Sequence, residues 1–358
     1  MTNNVEGMQQ LVDTKAKLTS YGTVLKDGEI MRLSDVDRVT IGDGVTAGKD
    51  RPVFLDSEHE AYVKILDGIY EGVNLEQKFA TEIAGYASKW HWLQARARAN
   101  NWEGIHNYDK ITLHMNAGTI TDGTTSYNIT AKDLVMRIAG IDTFYGYGDT
   151  ARGHHVTLIS DLTIGTNIPW NPTNNNNGTA DEHCCWLASA VYAILNGVNN
   201  ASTNTYGSTK RGFDASAGGV LQLLDPDAVA CMLNPREYLP ERYSATANLT
   251  SSPSARWVNG GKLRLPNEIN VYGCNIHSAD KASDGCDRNT MGQSVQLPIF
   301  RHTCGNRGYR IKNRVPWWLG SPASSSSSWA CRVDSDGRAG ADVCAYSWRS
   351  VPLYFDIG

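Results

Sequence analysis

The sequence predicts an α+β protein built from two or three units. Three observations carry that expectation: strand-like segments separated by Gly, Asp and Asn turns recur through the chain, at least three stretches carry apolar residues at helical spacing, and 358 residues exceed the usual size of one domain. With 41% hydrophobic and 20% charged residues the composition is that of a folded chain, and no apolar run reaches membrane-spanning length. The formal net charge of -4 supplies no basic excess to neutralise phosphates, so nucleic acid is not expected as a partner. The start, MTNNVEGMQQ, lacks a basic stretch followed by an apolar core, so synthesis in the cytoplasm without general secretion or membrane insertion is expected.

Residues 21–55 alternate short apolar segments (Val24, Leu25, Ile30, Leu33, Val39, Ile41, Val45) with Asp-Gly and Gly-Asp-Gly turns, which predicts a small unit of β-hairpins over 1–55. So small a unit buries little surface, which favours oligomerisation. Its pattern L-x-x-G-E-I followed by D-x-x-R-V-x-I-G-D-G-V-T resembles the N-terminal module of phage tail-fibre proteins of the major tropism determinant type. That resemblance implies attachment to other virion fibre or tail proteins, as a homotrimer.

A helical connector is expected over 56–104. Asp56 or Ser57 can cap a first helix reaching Tyr70, and a second runs from Leu75 to about Ala99. In the second, Phe79, Ile83, Tyr86, Trp90, Leu93 and Ala97 are spaced 4, 3, 4, 3, 4, as in a seam facing a partner helix, and we read it as an oligomer stalk or shoulder. The same stripe could equally pack on its own domain. From 105 onward a single large domain is expected. KITLHM, YNIT, LVMRIAGI and HHVTLI read as strands, and Thr179-x-x-Glu182 signals a helix with Cys184-Cys185 inside it, ending at Asn196-Gly197. Asp225-Pro226 opens another helix reaching Leu233.

Residues 317–358, WWLGSPASSSSSWACRVDSDGRAGADVCAYSWRSVPLYFDIG, alternate structural residues with small or polar ones. Trp317, Trp318, Leu319, Ser321, Pro322, Val333, Gly337, Ala339, Ala345, Val351, Pro352, Phe355 and Ile357 read as framework, with Trp317, Trp318, Val333, Gly337 and Ala339 beneath the site itself. The intervening positions Ala323, Ser325, Ser327, Ser328, Ala330, Arg332, Asp334, Asp336, Arg338, Gly340, Asp342, Tyr346 and Arg349 are expected to face outward together. Tyr346, Arg332, Arg338 and Arg349 are of the types that dominate binding energy at interfaces.

This segment closely resembles the C-terminus of variable proteins diversified by retroelements, which have a C-type-lectin-like fold. Trp317 to Pro322 match its opening W-W-L-x-S-P, Cys331 to Ala339 its C-x-V-x-x-x-G-x-A core, and Ser350 to Phe355 its closing segment, where Ser350 replaces the usual glycine and Leu353-Tyr354 departs from a small residue before the aromatic. Upstream, Trp186, Ala188-Ser189, Leu195-Asn196-Gly197, Leu263-x-Leu-Pro-x-Glu268 and Val271-Tyr-Gly273 resemble the same framework. The resemblance implies a lectin-fold domain over 105–358, a variable region at about 317–358, and a receptor that is a host cell-surface protein or glycan. Adenine-directed diversification cannot create Lys, Glu, Gln, Met or Trp at the mutated positions. No Lys, Glu, Gln or Met occurs between Ala323 and Ser350, and Trp329 and Trp348 would have to be framework.

No catalytic spacing stands out, so no enzyme, cofactor or metal is expected. Asp334 and Asp336 form D-x-D-G without the rest of an EF-hand, and the sugar-binding triplets Glu-Pro-Asn and Gln-Pro-Asp are absent. His154-His155 is read in a strand with rings on opposite faces. The eight cysteines lack a C-x-x-C pair and read as buried thiols rather than zinc ligands, with a Cys274–Cys286 disulfide left open. Two other functions compete with receptor binding: a head or tail decoration protein, and a fibre-borne glycan depolymerase.

Overall fold

The computed structural model describes residues 10–13, 30–33, 38–41, 70–176, 178, 184–200, 205–206, 209–210, 213–242, 256–278, 295–301, 311–346 and 348–358. The chain divides into two units, Met1–Glu71 and Gly72–Gly358. It is mixed α and β, with strand the larger share. Among the described residues no helix is long and apolar enough to cross a membrane.

In the first unit β1 (Gln10–Asp13) runs parallel to β2 (Ile30–Leu33), and β2 pairs antiparallel with β3 (Arg38–Ile41), Ile30 opposite Ile41 and Leu33 opposite Arg38. The second pairing is a hairpin of the kind the alternation predicts, while the parallel strand from Gln10 carries no such pattern. The helix expected from Asp56 or Ser57 and the Gly42-Asp43-Gly44 turn lie outside the described residues.

The second unit starts well before residue 105. The predicted helix of 75–99 is three pieces: α1 (Leu75–Lys78), α2 (Ala80–Ile83) and α3 (Lys89–Arg98). Phe79 ends one piece and caps the next, and Ser88 accepts from the His91 N–H to start α3, so the seam cannot run unbroken. Trp90, Leu93 and Ala97 are fully buried in this unit's own core, whereas Tyr86 is exposed. Trp90 packs edge-on against Phe355, with ring centroids 6.3 Å apart, and donates its indole N–H to Asp225 at 3.1 Å. Gln94 donates to the Gly358 carbonyl at 2.8 Å. The apolar stripe is therefore core of the domain and not a stalk, because its partners are strands and loops of the same unit.

The central sheet has the order β16-β8-β7-β4, all antiparallel, where β4 is Lys110–Met115, β7 Lys132–Ile141, β8 Val156–Thr163 and β16 Pro352–Ile357. A hairpin of β5 (Gly118–Thr121) and β6 (Ser126–Ile129) lies between β4 and β7 in sequence. After β8 come α4 (Ala190–Asn196), the short pair β9 (Thr205–Tyr206) and β10 (Thr209–Lys210), α5 (Pro226–Cys231), the pair β11 (Arg236–Leu239) and β12 (Arg256–Asn259), and α6 (Glu268–Tyr272). The last sheet is β13 (Trp317–Pro322), β14 (Trp329–Val333) and β15 (Ala339–Val343), in that order.

Local chemistry explains the helix ends. Helix α4 starts at Ser189, whose hydroxyl accepts from the Tyr192 N–H, and stops at Gly197 in the left-handed region at φ 62. The proposed cap at Thr179 and Glu182 lies outside the described residues, and Cys184-Cys185 precedes the helix: Cys184 makes an isolated bridge to Glu241. Helix α5 starts at Asp225 with Pro226 at its first position, as the sequence indicates.

The outer edge of β16 is covered. The Arg264 N–H donates to the Tyr354 carbonyl at 3.0 Å and the Leu233 N–H to the Asp356 carbonyl at 2.9 Å, so every residue of β16 is buried. Asp356 itself is a buried charge. Its carboxylate accepts from Thr157 at 2.8 Å and Arg152 at 3.0 Å and pairs with Arg264 at 2.7 Å. Burial pushes its pKa up, but Arg264 and Arg152 outweigh that and hold it at about 2.

His154 and His155 precede β8 instead of lying in it. His154 is half-exposed, stacked on Tyr145 at 4.1 Å and paired with Asp142 at 2.8 Å. His155 is buried: the Phe144 N–H donates to its Nε2, which leaves the proton on Nδ1, facing the Gly153 carbonyl, and burial lowers its pKa. Of the cysteines, Cys184, Cys185, Cys231, Cys331 and Cys344 are buried free thiols and Cys274 is an exposed one. Cys286 and Cys304 lie outside the described residues.

Asp356→Asn removes one of the two carboxylates that pair with buried Arg264 and leaves Glu237 as the other, and should cost about 3 kcal/mol in denaturant unfolding at neutral pH. Because the folded carboxyl titrates below its ordinary value, its contribution is present above about pH 4 and is lost as the pH falls toward 2. Unfolding measured across that window should show a steeper decline for the parent than for Asp356→Asn.

Candidate functional site

The site is built on the three-stranded sheet near the C-terminus. Trp317 stands opposite Val333 and Trp318 opposite Arg332, and then the register slips before Pro322 meets Ala330. At the slip the Gly320 N–H donates to the Pro266 carbonyl, and a Cβ there would come within 3.0 Å of the Leu265 carbonyl oxygen. Strands β14 and β15 pair in regular register, Arg332 opposite Gly340 and Ala330 opposite Asp342. Their turn is closed by the Asp334 N–H donating to the Arg338 carbonyl at 2.8 Å, with Gly337 at φ 91. Gly337 is thus needed for its backbone, and no larger residue takes that conformation without strain.

Both tryptophans of β13 are buried, and the strand is tied down by two indole hydrogen bonds. Trp318 donates to the Ile168 carbonyl at 2.9 Å, and Trp170 reaches back to the Leu319 carbonyl at 3.2 Å. The Trp318 N–H donates to the Ser350 carbonyl at 3.1 Å, which ties the sheet to the segment leading into β16. Cys331 is fully buried, and burial raises its thiol pKa well above the ordinary value, so it stays protonated.

The serine run between β13 and β14 is held through its backbone. Arg242, 1% exposed, donates to the carbonyls of Ala323 (3.1 Å), Ser324 (3.0 Å) and Ser326 (2.9 Å) and to the Asn176 amide oxygen (2.6 Å). Asn176 donates from Nδ2 to the carbonyls of Ser326 (2.9 Å) and Trp329 (2.6 Å), and from its backbone N–H to that of Ser327 (2.7 Å). The Ser328 carbonyl accepts from the Cys344 N–H at 2.8 Å. Burial pulls the Arg242 guanidinium below its ordinary pKa, a cost that the ring of carbonyl acceptors offsets. Among the described residues the side chains of Ser325, Ser327 and Ser328 form no hydrogen bond.

A second buried charge supports the neighbouring loop in the same way. The Glu268 carboxylate, fully buried, accepts from the backbone N–H groups of Ile276 (2.8 Å), His277 (2.9 Å) and Ser278 (2.8 Å) and from the Ser278 hydroxyl (2.8 Å). The His277 carbonyl, fixed by that nest, accepts from the Ser324 N–H at 2.9 Å. Ser321 accepts from the Glu268 N–H at 3.1 Å.

Five of the predicted surface residues are brought together by charge and ring contact. Asp342 pairs with Arg349 at 2.5 Å and Arg332 at 3.1 Å, Arg332 also pairs with Asp334 at 2.8 Å, and the Arg349 guanidinium lies 5.9 Å from the Tyr346 ring centre. Arg332 holds the Asp334 carboxyl below its usual range. At the turn, Arg338 pairs with Asp336 at 2.5 Å, and the Asp336 carboxyl is lowered first by the Arg338 N–H it accepts. Arg338, Tyr346 and Ser325 are exposed, and Ser327, Ser328, Arg332, Asp334, Asp336, Gly340, Asp342 and Arg349 are half-buried. Of the framework set, Trp317, Trp318 and Val333 are buried, whereas Gly337 and Ala339 are half-buried.

Two expected surface positions and two expected framework positions are exchanged. Ala323 and Ala330 are fully buried: Ala323 sits over Arg242, and Ala330 shares the face of fully buried Trp318. Trp329 and Trp348, in contrast, are 43% and 71% exposed. Strict alternation fails because the Arg332 face of the sheet is covered on its β13 side and open only toward the edge strand β15, all of whose residues are half-buried. Trp329, opposite Val343, points to the other face from Arg332.

No protein-family model matches the chain, and no curated protein or solved structure does. Among the described residues no group of three or more His, Cys, Asp or Glu is placed to hold a metal ion.

Arg242 and Asn176 were not legible as site residues. Asn176 stands in an asparagine run that reads as a polar turn, and Arg242 lies in no motif; only the chain's path puts both beneath a loop some eighty and a hundred and fifty positions downstream. Arg242→Met should destabilise the domain by about 3–5 kcal/mol, since several buried carbonyls lose their donor together. Ser325→Ala, Ser327→Ala and Ser328→Ala should each stay within about 0.5 kcal/mol in the same denaturant titration.

Proposed function

We propose that this chain is a non-catalytic receptor-binding protein of a phage fibre, carried on the virion, whose C-terminal sheet and serine loop read a host surface molecule and tolerate diversification by a retroelement. The observation that supports this most is the separation of duties in the loop 323–329. Its shape is set by buried Arg242 and Asn176 acting on carbonyls, which every residue type has, while three serine side chains contribute no hydrogen bond among the described residues. Replacing those side chains changes the surface and leaves the support intact.

The exposed aromatic and arginine content favours binding over a purely structural role. Trp348, Trp329, Tyr346 and Arg338 combine apolar area with polar ends, the composition of energetic anchors at interfaces. A lectin-like fold is supported by the pairing of β8 with the C-terminal β16, which brackets α4, α6 and the three-stranded sheet within one closed excursion. Three-fold assembly through the N-terminal unit would raise weak single-site affinity through effective concentration.

The test is a comparison of this gene in sibling isolates of different host range, together with adsorption assays. Substitutions should concentrate at Ser325, Ser327, Ser328, Arg332, Asp334, Asp336, Arg338, Gly340, Asp342, Tyr346 and Arg349, and spare Asn176, Arg242, Ala323 and Ala330. Tyr346→Ala in the intact fibre should cut adsorption at least tenfold without altering its thermal unfolding. Substitutions spread evenly over the chain, or unchanged adsorption, would refute the reading.

A further inference from the structure

A cavity of about 70 Å³ lies under the β14–β15 turn, next to the exposed surface and sharing Asp334 and Asp336 with it. Its apolar walls include Val271, Phe300, Ile311, Trp317 and Val333. At roughly 15 Å³ per water-sized group the space takes about five such groups, the size of a branched aliphatic chain and too small for a sugar ring with its hydroxyls. Tyr272 forms a further wall; its hydroxyl donates to the Gly337 carbonyl at 3.0 Å, which fixes the turn over the cavity and leaves that proton committed.

Three charged residues line the cavity: Asp334, Asp336 and Arg314. Both carboxylates are already engaged at both oxygens. Asp334 accepts from the Ser335 N–H at 2.9 Å and pairs with Arg332, and Asp336 accepts from the Arg338 N–H at 3.1 Å and pairs with Arg338. Arg314 is exposed, sits at φ 51, and makes no ion pair among the described residues. Of the three charged residues that line the cavity, the two carboxylates are neutralised by Arg332 and Arg338, which do not line it, and Arg314 is left as the charge with no counter-ion among the described residues.

We propose that this cavity binds a short branched aliphatic carboxylate, its hydrocarbon among Phe300, Trp317 and Val333 and its carboxylate on Arg314. Arginine presents paired donors to a carboxylate, and the apolar floor supplies the hydrophobic part of the binding. An ammonium ligand gains little, because both aspartates are saturated by their own arginines. Asp334 and Asp336 belong to both this cavity and the proposed receptor surface, whereas Tyr346 and Trp348 do not line the cavity, so Tyr346→Ala distinguishes failure of one reading from failure of the other.

The probe is 3-methylbutanoate, added to the full-length chain and followed by ligand-detected saturation-transfer NMR, with 3-methylbutylamine and 3-methylbutanol as isosteric controls. Binding on the order of millimolar is expected for a ligand of this size, and both controls should bind at least tenfold more weakly. Arg314→Gln should reduce carboxylate binding at least tenfold with unchanged thermal unfolding, since Arg314 supports no other group, and Tyr346→Ala should leave it unchanged. Equal binding of amine and carboxylate, undiminished binding to Arg314→Gln, or no transfer at ten times the expected Kd would overturn the proposal.

Discussion

Everything in the larger unit depends on the return of the last strand to the first long ones. β16 pairs with β8 across about two hundred residues, Phe355 opposite Leu158, so the chain between them is a closed excursion whose two ends are locked in one sheet. Closing so long a loop is entropically costly, and the strand that closes it is correspondingly buried along its whole length. The Asp356 network with Arg264, Arg152 and Thr157 fixes its register, because a shift by one residue would bring an unpaired carboxylate to the wrong face of the sheet.

That closure explains how an irregular, serine-rich segment can have a defined shape. The loop 323–329 cannot form a core of its own. It is held instead by two side chains from distant parts of the same excursion, Asn176 and Arg242, whose donors meet its carbonyls. Glu268 does the converse for the 276–278 turn, accepting from N–H groups. Buried charges are expensive unless hydrogen-bonded; Glu268 is engaged at both oxygens and Arg242 at both terminal nitrogens, its buried Nε alone lacking a partner, so the segments they grip gain rigidity without relying on their own side chains.

The sheet that carries the exposed residues is asymmetric for a related reason. Its β13 side is anchored by Trp317 and Trp318 and by the hydrogen bond to Ser350, while β15 is an edge of small residues and one aspartate. The acidic and basic side chains pair across the open half: Arg332 and Arg349 are balanced by Asp334 and Asp342, and Arg338 reaches out from the turn. An edge strand without large apolar residues, beside a network of alternating charge, is poorly suited to pairing with another strand.

Periodicity and turn chemistry in the sequence determined the strands KITLHM and LVMRIAGI nearly to their ends and HHVTLI in part, the helix opened by Asp225-Pro226, the stop at Gly197, and the burial of Trp317 and Trp318. These follow from forces acting within a few residues: side-chain alternation, capping and left-handed backbone at glycine. What the tertiary structure alone decided is where each periodic face points and what lies beneath it. The Trp90, Leu93, Ala97 stripe serves its own core because Phe355 and Asp225 come to meet it. Ala323 and Ala330 are buried and Trp329 and Trp348 exposed because the sheet is covered on one side only, and Arg242 matters because a distant loop folds onto it. Local pattern encodes which residues alternate; burial depends on contacts made across a hundred residues or more, and no local pattern carries that information.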